Sequence, residues 1–281
     1  MDPLLAPRLG ETEVSARLAV FTLGGDTPGT SYGANGLVLS GRKGTLLVDP
    51  FIAPAHARLL EELIRARGLP RVTHVVVTHH HTDHALGAGH FAARGAEVVM
   101  HEHCATAMRA AHPPLIAERR AHPARATLFA DAEPYAPTRT FLERYEVDLG
   151  DVVAEARHLG PGHTPGDCVV LFPSERAVAC GDLAVCGYHF NYEDADLEGL
   201  TAALEGLGSL PVERFLPGHG PAGGAGIVRE QARYHRRVAR LVRGATSADE
   251  ARAALRARYP GYQLEAAIES ALTRLRAPSR A

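Results

Sequence analysis

The 281-residue chain is poor in cysteine. It has only Cys104, Cys168, Cys180 and Cys186, and no two of them form a CxxC pair. A chain of this length needs no disulfide staples, so the four read as reduced and mostly buried thiols. It also lacks any run approaching the ~20 apolar residues of a membrane span. The opening MDPLLAPRLGETEVSARL carries prolines and charges where a signal peptide needs an unbroken apolar stretch, so the expected location is cytoplasmic. An excess of charge is missing as well: 30 Lys and Arg stand against 32 Asp and Glu, a net charge of −2. That balance gives no global field favouring nucleic acid or an anionic membrane. No internal repeat and no low-complexity linker stands out. What the chain does have is length and 46% hydrophobic residues, enough for a sizeable core in one large domain or two small ones. It also has 16 histidines, several of them clustered.

Short apolar segments alternate with helical ones. Leu18 to Leu23, Gly36 to Leu39 and Thr45 to Val48 read as strands between glycine-rich turns. Pro54 to Arg67 has helical periodicity, with proline in the first turn, where its missing N–H costs nothing. Val75 to Val77 is a continuous apolar strand, the pattern of burial on both faces. A helix is expected from Asp83 to Arg94 and a strand from Glu97 to Met100. The region from His103 to Phe141 has weak helical periodicity and reads as helices inserted between two strands, over a cleft. Strand patterns return at Tyr145 to Leu149, Val152 to His158, Cys168 to Phe172 and Ala177 to Cys180. A helix over Leu197 to Leu210 and a short strand over Arg214 to Leu216 follow. From Ile227 the chain reads as helical, broken near Pro260. The expectation is an α/β domain over 1–222, with a helical lid at about 103–141, and a helical C-terminal extension over 223–281.

The chemistry concentrates in Thr78-His79-His80-His81-Thr82-Asp83-His84, directly after the Val75 to Val77 strand. In an extended stretch, residues two apart point the same way, so His79 and His81 can grip one metal together. Asp83 and His84, where the chain turns into a helix, can face a second metal beside it. His80 and Thr82 then point away. His163 in GPGHTPG, Asp182 in CGD and His219 in PGHG each lie beside glycine in a turn near a strand. An open catalytic site uses about three protein ligands per metal, so five His and two Asp suit two metals with Asp182 bridging. Imidazole and carboxylate without thiolate suit two Zn2+, and Fe or Mn are compatible. Such a site favours electron-rich carbonyl or phosphoryl oxygens and generates hydroxide near neutral pH.

These motifs resemble the metallo-β-lactamase superfamily in its glyoxalase II-like branch: THHHTDH at 78–84, GHTPGD at 162–167, GD at 181–182 and PGHG at 217–220. The resemblance covers roughly residues 16 to 222 and implies an αββα sandwich with the site at one edge. It implies that His79, His81 and His163 bind one metal, that Asp83, His84 and His219 bind the other, and that Asp182 bridges them. A hydroxide between the metals would attack the substrate, with Asp83 orienting it and handling its proton. Asp49 lies at a strand end where the family often places a carboxylate that fixes a ligand histidine. The implied activity is hydrolysis of an ester, lactone, thioester or amide. Two alternatives of the same fold are a phosphodiesterase and a mononuclear iron persulfide dioxygenase.

Some features are weaker. Tyr188 and His189 follow Asp182 closely enough to donate to a developing oxyanion. His101 and His103 share the HxH spacing but lack further partners, which argues against a third metal. His112 and His122 read as packing or exposed residues of the lid. Arg229, Arg233, Arg236, Arg237, Arg240 and Arg243 mark a solvated helix face or a homodimer contact. With Glu230 among them and a neutral total charge, they argue for a small-molecule substrate over nucleic acid.

Overall fold

The computed structural model describes residues 9–276; the first eight and last five residues of the two terminal expectations lie outside it. Among the described residues two sheets face each other. The first follows chain order: β1 (Gly10–Glu13), β2 (Leu18–Thr22), β3 (Asn35–Gly41), β4 (Gly44–Val48), β5 (Val72–Val77), β6 (Glu97–His101) and β7 (Arg139–Phe141). Its first four strands pair antiparallel and β4 to β7 pair parallel. The parallel steps carry helical crossovers, as parallel connections must: α1 (Pro54–Ala66), then α2 (Thr82–Ala85) with α3 (Ala88–Ala92), then α4 (Glu102–Ala121) with α5 (Ala126–Phe129). The second sheet contains β8 (Arg144–Asp148), β9 (Val153–Arg157), β10 (Val169–Phe172), β11 (Ala177–Val185) and β12 (Arg214–His219), and only its β11–β12 pair is parallel. Helices α6 (Gly199–Gly208), α7 (Gly226–Gly244), α8 (Ala248–Arg258) and α9 (Ala267–Arg276) complete the chain.

Strand alternation explains the layering. In β4, Leu46 and Val48 enter the core between the sheets, together with Val170, Phe172 and Leu216 of the second sheet. Leu47 points the other way, against Leu60 and Ile64 of α1. In β5, Val76 joins the inter-sheet core while Val75 and Val77 join the helix-covered face, so this strand is buried on both sides as its sequence implied. The outer face of the second sheet packs against α6 to α9, where Val178 and Cys180 meet Leu204, Tyr234, Leu255 and Leu272. The result is the αββα sandwich. Cys104, Cys168 and Cys180 are buried free thiols and Cys186 is half-buried. No helix among the described residues is long and apolar enough to cross a membrane.

The helix expected over Asp83 to Arg94 is two short pieces. Gly87 separates them: its N–H donates to Phe51 O at 2.8 Å, and a Cβ there would sit 1.8 Å from Pro50 O. The 103–141 region holds α4 and α5, and it returns to the first sheet through β7. Helix α4 runs through Pro113 and Pro114, which blunts the periodicity visible in its sequence.

One buried histidine gives a test of the α1 packing. His56 is 1% exposed; burial lowers its pKa to about 4, against a weaker pull from the Gly29 backbone. The folded chain keeps it neutral, whereas the unfolded chain protonates it near its ordinary 6.5. Between those values the unfolded state binds more protons, so this contribution is constant above pH 6.5 and stability falls as pH drops towards 4, by about 3 kcal/mol in all. Urea unfolding at pH 7 and pH 4.5 should show a loss smaller by roughly 2–3 kcal/mol in His56→Leu than in the wild type. Equal losses in the two proteins would refute this.

Candidate metal centre

The site forms where strands of both sheets end. His79 and His81 follow β5, Asp83 and His84 lie in α2, and His163 sits in the β9–β10 loop. Asp182 was expected just after a strand. It lies within β11 instead, which runs on to Val185 through register shifts against β12 around Gly181. His219 is likewise the last residue of β12 rather than a loop residue beyond it. The glycine before it has a steric reason: a Cβ on Gly218 would be 1.9 Å from Asp182 Oδ1. Asn35 of β3 clamps this turn from the first sheet, its amide donating to Pro217 O at 2.9 Å and Gly220 O at 2.7 Å.

All seven residues come together. Donor atoms of His79, His81 and His163 lie within 4.8 Å of one another, and so do those of Asp83, His84 and His219. Asp182 stands between the groups: Oδ1 is 3.3 Å from His84 Nε2, and Oδ2 is 3.4 Å from His219 Nε2, 3.6 Å from His163 Nε2 and 4.0 Å from His79 Nε2. Asp83 Oδ2 is 3.3 Å from His219 Nε2 and 3.6 Å from His84 Nε2.

The outward nitrogens reveal how the rings are set. The Thr78 hydroxyl donates to Asp49 Oδ2 at 2.7 Å, so at 2.9 Å it accepts from His79 Nδ1. His84 Nδ1 donates to Asp49 Oδ2 at 2.9 Å, and His219 Nδ1 donates to Tyr32 O at 3.1 Å. His81 Nε2 donates to Asp194 Oδ2 at 3.0 Å. Each of these four rings thus spends its proton outside the cluster and turns a lone pair inward, whereas His163 Nδ1 is buried without a partner. The inward atoms nearly touch: His84 Nε2 is 3.2 Å from His219 Nε2, and His81 Nδ1 is 2.9 Å from His163 Nε2. His79 Nε2 and Asp182 Oδ1 are buried without a hydrogen-bond partner. The facing lone pairs of His84 and His219 need a positive charge between them, and the donor set fits divalent metal ions of borderline hardness. Without a metal, protons serve. Burial opposes charge on His84 and His219, but Asp182 and Asp83 outweigh it and raise them to about 9 and about 10. Burial also pushes Asp83 up, and His84 and His219 more than reverse this, holding it at about 2. His163 stays neutral, lowered to about 3 by burial and by His81.

Asp49 sits where a carboxylate can fix His84. Its conformation is left-handed, φ 55°, which Asp tolerates. Tyr188 lays its ring 5.1 Å from that of His219, while its hydroxyl donates away from the cluster, to Gly25 O at 3.2 Å. His189 faces the C-terminal helices: Nδ1 is 3.0 Å from the Tyr234 hydroxyl, and Tyr259 and Tyr262 pack on the ring. That is a packing position among the tyrosines of the C-terminal segment. His101 donates to Leu142 O at 2.9 Å and accepts from His103 N, so its nitrogens are committed. His80, expected to point away, is buried and reaches Asp194 at 3.3 Å, and its donor atoms group with those of His81 and Asp194. Sequence reasoning missed three supports. Asp194, in the acidic stretch Glu193 to Asp196 with no glycine or histidine directly beside it, holds both His80 and His81. From α4, His112 donates to His80 O at 2.7 Å and Arg119 donates to Thr82 Oγ1 at 2.9 Å.

Comparison with known proteins places the chain in a family. The alpha subunit of 2,4-dinitroanisole O-demethylase from Nocardioides sp. is 28% identical over 65% of this chain and 51% of its own length. A hydroxyacylglutathione hydrolase from Acidiphilium cryptum is 34% identical over 60% of this chain and 58% of its own. The matches thus span about half to three-fifths of these relatives. A solved metallo-beta-lactamase from Pontibacter korlensis shares the fold with TM-score 0.65, at 23% identity, over 82% of this chain and 99% of that one. The family model of the metallo-beta-lactamase superfamily matches residues 29–219, which takes in all seven clustered residues, and the chain belongs to that superfamily.

Proposed function

We propose that the protein is a dinuclear metal-dependent hydrolase of a small-molecule carbonyl substrate: an ester, lactone, thioester or amide. The observation that carries this reading is the pair of histidine-containing triads with Asp182 between them. His79, His81 and His163 would hold one ion, Asp83, His84 and His219 the other, with Asp182 shared; zinc fits the donors best, and iron or manganese are compatible. Two such ions supply Lewis acidity and lower the pKa of bound water towards 7.

The chain's own groups do the rest. Asp83 is held ionised by its histidine neighbours and presents a carboxylate that can take and return a proton. Asp49 and Asp194 keep the lone pairs of His84 and His81 turned inward. The likeness to a hydroxyacylglutathione hydrolase supports a thioester among the candidate substrates.

The test is elemental analysis of protein purified without added metal, followed by an ester, lactone and thioester panel. About two zinc per chain and turnover of one class are expected. About one iron per chain, with oxygen uptake on a persulfide, would replace this reading with the dioxygenase.

A further inference from the structure

Helix α7 has two unlike faces. Val228, Gln231, Tyr234, Val238 and Val242 are buried against the sheet. A second stripe runs Arg229, Ala232, Arg236, Ala239 and Arg243, spaced alternately by three and four residues, so it lies on one side of the helix. At the inward positions of such a stripe a Leu would fill the gap to a neighbouring helix. Alanine leaves it open, and a cavity of about 440 Å3 lies between α6, α7 and α9.

Its wall is apolar: Leu197, Leu200 and Leu204 from the α6 side, Val228 with the two alanines from α7, and Leu275 from α9. Leu197 is one of the few large apolar side chains left exposed, at 37%. The polar group at the floor is His235, and both its nitrogens are taken, Nδ1 by the Tyr192 hydroxyl at 2.7 Å and Nε2 by Gln231 at 2.9 Å. Burial lowers its pKa to about 3, so it adds no charge. The rim is cationic. Arg229, Arg236 and Arg243 are exposed, and among the described residues no ion pair includes them; α7's internal pair uses Arg233 and Glu230 instead. Glu205 is the one carboxylate lining the mouth. Phe190 separates this cavity from the metal centre, its ring 4.9 Å from that of His163 and 4.5 Å from that of His235.

We infer that this cavity between α6, α7 and α9 is a second ligand site, taking an amphipathic anion whose acyl chain lies along the Leu and Ala wall and whose carboxylate meets the arginine rim. The volume is within the ~300–1,000 Å3 of small-molecule sites. An apolar chain removes the exposed leucine surface from water, and a guanidinium stripe matches a planar carboxylate.

The test is isothermal titration calorimetry on the full-length protein with decanoate, 1-decanol and acetate, below the micellar range. One decanoate per chain is expected, binding at least about tenfold more tightly than decanol, with no heat from acetate. Arg236→Glu should weaken decanoate at least about fivefold. Ala232→Phe, which fills the cavity, should abolish binding with an unchanged circular dichroism spectrum. Equal affinity for decanol, or decanoate binding that survives Arg236→Glu, would overturn the assignment. The standing of the metal centre rests on metal content and turnover and not on this titration.

Discussion

On the proposed hydrolase reading, Asp83→Ala should cost roughly 10²–10³ in kcat/KM, about 3–4 kcal/mol, the scale for losing one preorganised electrostatic group at a reacting centre. Asp83 Oδ2 lies 3.3 Å from His219 Nε2 and 3.6 Å from His84 Nε2, and its side chain is largely buried. Removing it takes away a donor of the second triad, a negative charge that together with Asp182 favours charge on His84 and His219, and the carboxylate placed to carry a proton. The fold should survive. The backbone contact at this residue, the Ser31 hydroxyl donating to Asp83 O at 2.9 Å, does not use the side chain. The measurement is steady-state kinetics on whichever substrate the panel selects, with metal content and circular dichroism in parallel. Loss of turnover with the first ion retained is the expected pattern. Turnover within tenfold of wild type would remove Asp83 from the mechanism.

Much of this site was readable because the sequence concentrates it. His79 to His84 is one continuous string, and alternation after an apolar strand already separated His79 and His81 from His80. The distant members of the cluster were marked by glycines, and at Gly218 the steric need is visible in Asp182 lying against it. The supports carried no such mark. Asp194 belongs to a loop whose composition is that of any solvated acidic turn, and its contact with His81 spans 113 residues. His112 and Arg119 looked like residues of a covering helix. Their role depends on α4 crossing the outer side of the motif loop, which no local pattern encodes. In the fold, strands with apolar alternation or continuous apolar runs were legible. Strand β1 was not, because all four of its residues are exposed at the sheet edge and offer no hydrophobic period. Strand β7 has three residues, of which only Phe141 is buried. The ends of β11 and β12 were placed short because Gly181 and Gly218 read as turn residues, whereas they continue the pairing through a register shift.

Asp49→Ala should destabilise the fold and loosen the metal site together, and the two effects separate by experiment. The carboxylate is 1% exposed and takes three donors: Thr78 N at 2.8 Å, the Thr78 hydroxyl at 2.7 Å and His84 Nδ1 at 2.9 Å. Alanine leaves Thr78 N and His84 Nδ1 buried and unpaired, at about 1–3 kcal/mol each, so a loss of roughly 2–6 kcal/mol in metal-free unfolding is expected. The same change frees His84 to rotate. It also releases the Thr78 hydroxyl, which then competes as a donor for His79 Nδ1 and turns that tautomer the wrong way, with its proton on Nε2. Loss of such an outer carboxylate typically costs about 10–100-fold in metal affinity. Asp49→Asn tells these effects apart. Its amide keeps one acceptor oxygen for Thr78 N and the approximate volume, so stability should recover in part. Its nitrogen is a donor facing His84 Nδ1–H, so metal affinity should stay low. Competition with a chromophoric chelator reads affinity, and urea unfolding of the metal-free chain reads stability. If Asp49→Asn bound metal as tightly as wild type, the carboxylate would serve the turn at Thr78 alone and His84 would be held by packing.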